Sequence, residues 1–286
     1  MAVAFRTTQS ASGDESSSAN SFVITKPTGL TAGDIMVAVI AWFHTGTINT
    51  PAGWSAPQTD QDFHSASAKV FTKIADAGDV AASNFTFTSG TSAAYFGVLL
   101  AMANVGSLDV SNAGVVASGS ASSSGVTPNE QDFFLIAVAH KSTATSNYSQ
   151  TTDNYAIATS NPSWTELFDS NIVTAGANRM GVSIAYATRP ELTATGNATA
   201  TVSVDGANIT LGTALFLLGF IETKIVNASV VSISATVQST TQSGGTVVFP
   251  AVITSSASVE DPNANQADWS AQAKSATSSF TNQSKS

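Results

Sequence analysis

The chain has 286 residues and a mass of 29.1 kDa, room for one large domain or two of about 100–200 residues each. Charged residues make up only 10% and Cys is absent, which excludes disulfides, thiolate metal sites, Cys nucleophiles and long solvent-facing helices built on Glu, Lys and Arg. A net charge of −9 and a pI near 4.5 have the wrong sign for neutralising phosphates, so nucleic acid is not expected as a partner.

The opening residues, MAVAFRTTQSASGDE, show no basic segment followed by an apolar one and no lipidation signal. The hydroxyl-rich, Cys-free composition nevertheless suits an exterior protein. Residues 21–25 form a short β-prone run, and KPTGLTAGD (26–34) is a turn region ending in Asp34. Residues 35–43 are continuously apolar and predict a buried central strand; like the run 213–221, they are too short to span a bilayer, and membrane insertion is not expected. A turn follows at TPAGW, with Pro51, Gly53 and Trp54, then the alternating runs ASAKVFTKIA (66–75) and NFTFTS (84–89) and the apolar run 93–105. Short strands at this spacing predict a sandwich or barrel.

The same order returns downstream. TAGDIMVAVIAW around Asp34 answers NEQDFFLIAVAH around Asp132, and NTPAGWSAPQTD answers SNPSWTELFDSN with Pro162 and Trp164. Two further matches follow in the same order, KVFTKIADAGDVAASNFTFTS with GVSIAYATRPELTATGNATATVSV and SAAYFGVLLAMANV with ITLGTALFLLGFIE; all four, at offsets that drift over about 98–120 residues, predict two diverged repeats at about 20–105 and 126–221. With about four strands visible in each repeat, the expectation is one eight-stranded double sheet, an all-β, jelly-roll-like β-sandwich over residues 1–222. The Gly/Ser/Ala-rich stretch 105–127 is expected to be a long connection between the repeats. Residues 223–259 predict a C-terminal hairpin-like extension that assembles with a neighbour by strand addition, and 260–286 a polar tail.

The residues Pro27, Ala32, Gly33 and Asp34, then Pro51, Gly53 and Trp54, then Asp132, Pro162 and Trp164, carry a resemblance. The chain resembles a β-sandwich module recurrent in tailed-bacteriophage structural proteins of minor-tail, tail-fibre or virion-surface type. The resemblance covers about residues 20–221 and departs at Gln131 and Ser163, where the first repeat has Gly. It implies a non-enzymatic structural protein on the exterior of a tailed-phage particle, most readily a tail or fibre component, with capsid decoration as the alternative. It also implies other virion proteins as partners and homo-oligomers, trimers or larger rings, by analogy with cyclic surface assemblies.

The residues themselves offer few sites for chemistry, and no cofactor is expected. His44 and His140 fall at matching places in the two repeats and read as architecture. In DQDFH, Asp60, Asp62 and His64 share a face if extended, a weak cation site against the roughly six to eight oxygens that calcium takes. Asp153, Glu166 and Asp169 cluster near Trp164 and offer acids for a glycan-cleaving pair, while no nucleophile elbow or phosphate loop is present. Trp42, Trp54, Phe63, Tyr148, Tyr155 and Trp164 are the aromatics to consider for stacking on a host-surface glycan. The other reading of Trp54 and Trp164 is that they plug equivalent ends of the sandwich core.

Overall fold

The computed structural model describes residues 3–13, 19–116, 120–130, 132–143, 150–173, 178–189, 191–204 and 210–222, all within the compact unit Met1–Ala228. The C-terminal extension and tail expected at 223–259 and 260–286 lie outside the described residues. The first half contains β1 (Ala4–Phe5), β2 (Gln9–Gly13), β3 (Ala19–Thr25), β4 (Ile35–Trp42), β5 (Ile48–Asn49), β6 (Gln61–Phe63) and β7 (Ala66–Ile74). The short helix α1 (Ala77–Ala81) follows, then β8 (Asn84–Ala93) and β9 (Tyr95–Ala103). The second half contains β10 (Val105–Val116), β11 (Ser120–Ser123), β12 (Asp132–Thr143), β13 (Gln150–Ile157), β14 (Thr165–Val173), β15 (Asn178–Arg189), β16 (Ala198–Val204) and β17 (Thr210–Glu222). The protein is all-β apart from α1 among these residues.

Each half makes two antiparallel sheets. In the first, the large sheet runs β1-β9-β4-β7-β6, with β2 continuing β1 along the same edge of β9, and the small sheet runs β3-β8-β5. In the second, the large sheet runs β10-β17-β12-β15-β14 and the small one β11-β16-β13. The two halves therefore share one strand order. It is the jelly-roll order, in which the first, eighth, third and sixth strands form one sheet and the second, seventh and fourth the other; the fifth strand here pairs with the sixth.

Hydrophobic patterning explains how these sheets stack. In β4 every residue is buried: Ile35, Val37, Val39 and Ala41 enter a core shared with the second half, while Met36, Ala38, Ile40 and Trp42 enter a core beneath the small sheet. β12 does the same, sending Phe133, Leu135, Ala137 and Ala139 to the shared core and Phe134, Ile136 and Val138 to its own small sheet. Strands covered on both faces read as continuous apolar runs. Strands covered on one face alternate, as in β8, where Phe85 and Phe87 are buried and Asn84 and Thr86 exposed. The result is four layers in the order small, large, large, small. Rings bridge the central interface: Phe5 stands 5.8 Å from Phe133 and 4.7 Å from Tyr186, and Phe96 stands 6.3 Å from Phe168.

Three expectations change in detail. The sandwich is present twice, not once, because short or polar strands (β5, β6, β13, β14) and the Gly/Ser/Asn-rich β10 complete a double sheet within each half. The stretch expected as a connection forms β10 and β11, held by pairing with β17 and β16. The histidine match shifts by two: Trp42 pairs with Tyr95 seven residues after Ile35 pairs with Met102, and His140 pairs with Thr213 seven residues after Phe133 pairs with Phe220. His140 therefore occupies the place of Trp42, not of His44.

Candidate functional site

The turn before β4 shows how the first half uses its acids. Asp34, 3% exposed, accepts from Thr31 N (2.9 Å) and Thr31 Oγ1 (3.0 Å), while Arg6, after β1, grips both its oxygens at 2.8 and 3.0 Å. Burial alone would raise the Asp34 carboxyl, but the Arg6 and Thr31 hydrogen bonds outweigh it and hold it below the ordinary carboxylate range. In the second half Asp109 of β10 performs a related duty, accepting from Asn129 N at 2.7 Å and Nδ2 at 2.8 Å. Asp132 opens β12 opposite Arg189 and Ile221, as its counterpart position requires.

The Asp60, Asp62 and His64 set is likewise built into structure. Asp60 faces Lys69 Nζ at 3.2 Å, Asp62 accepts from Ser67 Oγ, and His64 sits in the β6–β7 turn with φ 40°. Burial first, then the charge of Lys141, push the His64 imidazole below its ordinary range. Among the described residues no group of three or more His, Asp or Glu is placed to hold a metal ion. No helix among them is long and apolar enough to cross a membrane.

The two tryptophans of the repeated turn occupy equivalent positions. Ser55, after Trp54, bridges Thr72, which pairs with Val37; Thr165, after Trp164, pairs with Tyr186, which pairs with Leu135. Val37 and Leu135 each stand two residues into the apolar part of their strand, so the frames coincide. Their surroundings differ. Trp54 is 9% exposed and meets the rings of Phe85 and Phe87 edge-on at 5.7 and 5.6 Å. Its backbone N–H donates to Pro51 O at 3.1 Å across a turn with Gly53 at φ 78°, a conformation suited to Gly. Lys73 stands against Gly53 and is held there by Asp79 at 2.7 Å and Asp76 at 3.5 Å, the two acids that cap α1.

Among the described residues the second half has none of that cover. The residue in the frame of Lys73 is Ala187, opposite Phe134 as Lys73 is opposite Met36, and no helix follows β15 in the described residues. Trp164 is half-buried against the core under β13 and lines an open depression of about 390 Å3 with Asn154, Tyr155, Asn161, Pro162 and Glu166. Asn161 ties the indole to the loop: its Oδ1 accepts from both Trp164 Nε1 and Ile157 N at 2.9 Å. The loop behind it is fixed by Ala158 N to Asn197 O (2.9 Å) and Thr159 N to Thr195 O (2.8 Å). Both flanking strands carry irregularities, between Asp153 and Ala156 in β13 and between Glu166 and Phe168 in β14. Asn154 within the first takes φ 51°, a left-handed conformation that Asn tolerates. Such bulges re-aim side chains and are over-represented beside binding sites.

Of the aromatics selected from sequence, the structure brings Tyr155 and Trp164 together, with Glu166 beside them. Trp42 is excluded from glycan contact: it is wholly buried, and its Nε1 donates to Thr91 O at 3.1 Å. Trp54 and Phe63 are excluded too, being core residues of the two clusters around β4. Tyr148 lies outside the described residues. Asp169 does not join Glu166 as an acid pair in the depression, since its Oδ2 accepts from Thr152 N at 2.8 Å and it is absent from the lining. Asn154 and Asn161 escaped sequence reasoning because Asn is abundant and nothing local marks which ones approach an indole. In comparisons with known proteins, no protein-family model, curated protein or solved structure matched this chain.

Proposed function

We propose that the chain is a non-enzymatic structural protein on the exterior of a tailed-phage particle, in a tail or fibre. The observation that carries this reading is mechanical. One jelly-roll order occurs twice, and the two rolls are joined across a continuous apolar core, giving a thick block with little helix and no long described loop. Carboxylates serve as internal struts in the pairs Asp34–Arg6, Asp60–Lys69 and Asp79–Lys73, a use that suits load-bearing better than turnover. The low charge and the absence of Cys point the same way, and the phage particle in particular is what the resemblance expected from the sequence of residues 20–221 implies. A duplicated module fused in one chain fixes the spacing of two display surfaces.

Assembly into homo-oligomers and onto other virion proteins is assigned to residues after Glu222. Immunogold labelling or cryo-EM of purified particles tests the reading: the chain should appear on the exterior of the tail. Its recovery only from lysate, never from purified particles, overturns the proposal, and a head location moves the protein to the decoration class. A chain ending at Glu222 should fold and fail to join particles.

A further inference from the structure

We infer that the Trp164 depression binds the apolar face of a neutral pyranose. The inference does not depend on where the protein sits, because it rests on one loop and two strands of the second half. Its apolar surface comes from the half-buried Trp164 and Pro162, with Tyr155 also in the lining. The rim is polar, formed by the exposed Asn154, Asn161 and Glu166. A sugar presents that same pair of surfaces, a C–H face for an aromatic ring and a belt of hydroxyls for amides and a carboxylate. Among the described residues no Lys or Arg lines the depression, and Glu166 repels anions, so phosphates, sulfates and uronates are disfavoured. At about 390 Å3 it lies near the lower end of the roughly 300–1,000 Å3 range of ligand sites, suited to one residue of a chain end.

The site is also preorganised. Asn161 Oδ1 holds the one polar atom of the indole while accepting from Ile157 N, so the ring plane is set before any ligand arrives. That arrangement takes up the Asn161 carbonyl and leaves its Nδ2 amide as a donor toward a hydroxyl. The equivalent end of the first half shows that a tryptophan at this position can be packed away under Phe85 and Phe87; the second half instead carries two strand irregularities and leaves the ring accessible.

Saturation-transfer NMR on the full chain tests this with the methyl pyranosides of glucose, galactose, mannose and N-acetylglucosamine, and with methyl glucuronide as the anionic contrast. At least one neutral glycoside should bind, with dissociation constants near 1 mM in order of magnitude for so small a contact, through protons of one ring face. Trp164→Ala and Asn154→Gly should each weaken it by about tenfold or more, and Trp164→Phe by less. Asn154→Gly keeps a backbone that glycine adopts freely, and near-UV circular dichroism of each variant separates lost binding from lost folding. Binding of none of the four neutral glycosides, preference for the glucuronide, or affinity unchanged in both Trp164→Ala and Asn154→Gly would each overturn the assignment.

Discussion

Truncating the two equivalent tryptophans should have unequal consequences. Trp54→Ala empties a site that is 9% exposed and lined by two edge-on phenylalanines, Phe85 and Phe87. Large-to-small changes of a buried Trp or Phe cost about 3–5 kcal/mol, because transfer and cavity contributions add. The surroundings have little room to collapse, since Gly53 is pinned in its turn by Lys73 and the α1 acids. A unit of this size loses roughly 2–4 °C of Tm per kcal/mol, so the variant should melt about 6–20 °C below the parent. Trp164→Ala removes a ring already in contact with water on one side, and the lost burial is on the order of 2 kcal/mol. Urea titration followed by circular dichroism measures both at constant m. Equal losses would show that Trp164 is a core residue in disguise, and would remove the physical basis for an open site beside it.

Further perturbations follow from the same contacts. Arg6→Ala should cost about 1.5–3 kcal/mol at neutral pH by stripping charged hydrogen bonds from buried Asp34. Because the folded carboxyl is held below its unfolded value of about 4, that contribution is present above pH 4 and fades as pH falls through the folded value. Denaturation curves of parent and Arg6→Ala should therefore converge in acid, and a gap that stays constant to pH 2 would refute the assignment. Lys141, 3% exposed, places Nζ 3.5 Å from the centroid of Phe43 and 3.3 Å from Ser65 O, joining β12 to the first half. Lys141→Met keeps the stem, so a loss of about 1–2 kcal/mol by thermal melting reports the cation itself. Residues 1–104 expressed alone should aggregate or self-associate by light scattering, because the face of β4, β7 and β9 that meets the second half is apolar; a soluble monomer would contradict the four-layer arrangement.

Much of the fold was written in periodicity. β4, β7, β8, β9, β12, β15, β16 and β17 all fall on runs whose alternation or continuity marks them as strands. The strands that escaped were set by tertiary context. β10, with its glycines, Ser, Asn and Asp, has little intrinsic preference for a strand and gains its partners from β17 across the roll. The layer count is implicit in the continuous apolar strands. A strand such as IMVAVIAW, apolar on both faces, requires cover on both sides, and two such strands from two halves require either three layers or four.

The site was half legible for a related reason. Trp54 and Trp164 stand in nearly the same words, Pro-Ala-Gly-Trp and Pro-Ser-Trp, and pattern alone predicts the same fate for both. What separates them lies elsewhere in the chain: Lys73 with its two aspartates on one side, Ala187 with no helix among the described residues on the other. A strand order that occurs twice makes this kind of difference inexpensive. The shared core between the large sheets keeps both rolls folded, so the far end of one roll can carry two register shifts and leave an indole partly exposed without endangering the rest. In that division the first half supplies the closed, strutted end and the second half the open one. Restoring the cover should then close the site: a lysine at Ala187 with an acidic helix cap after Arg189 would reproduce the arrangement around Gly53.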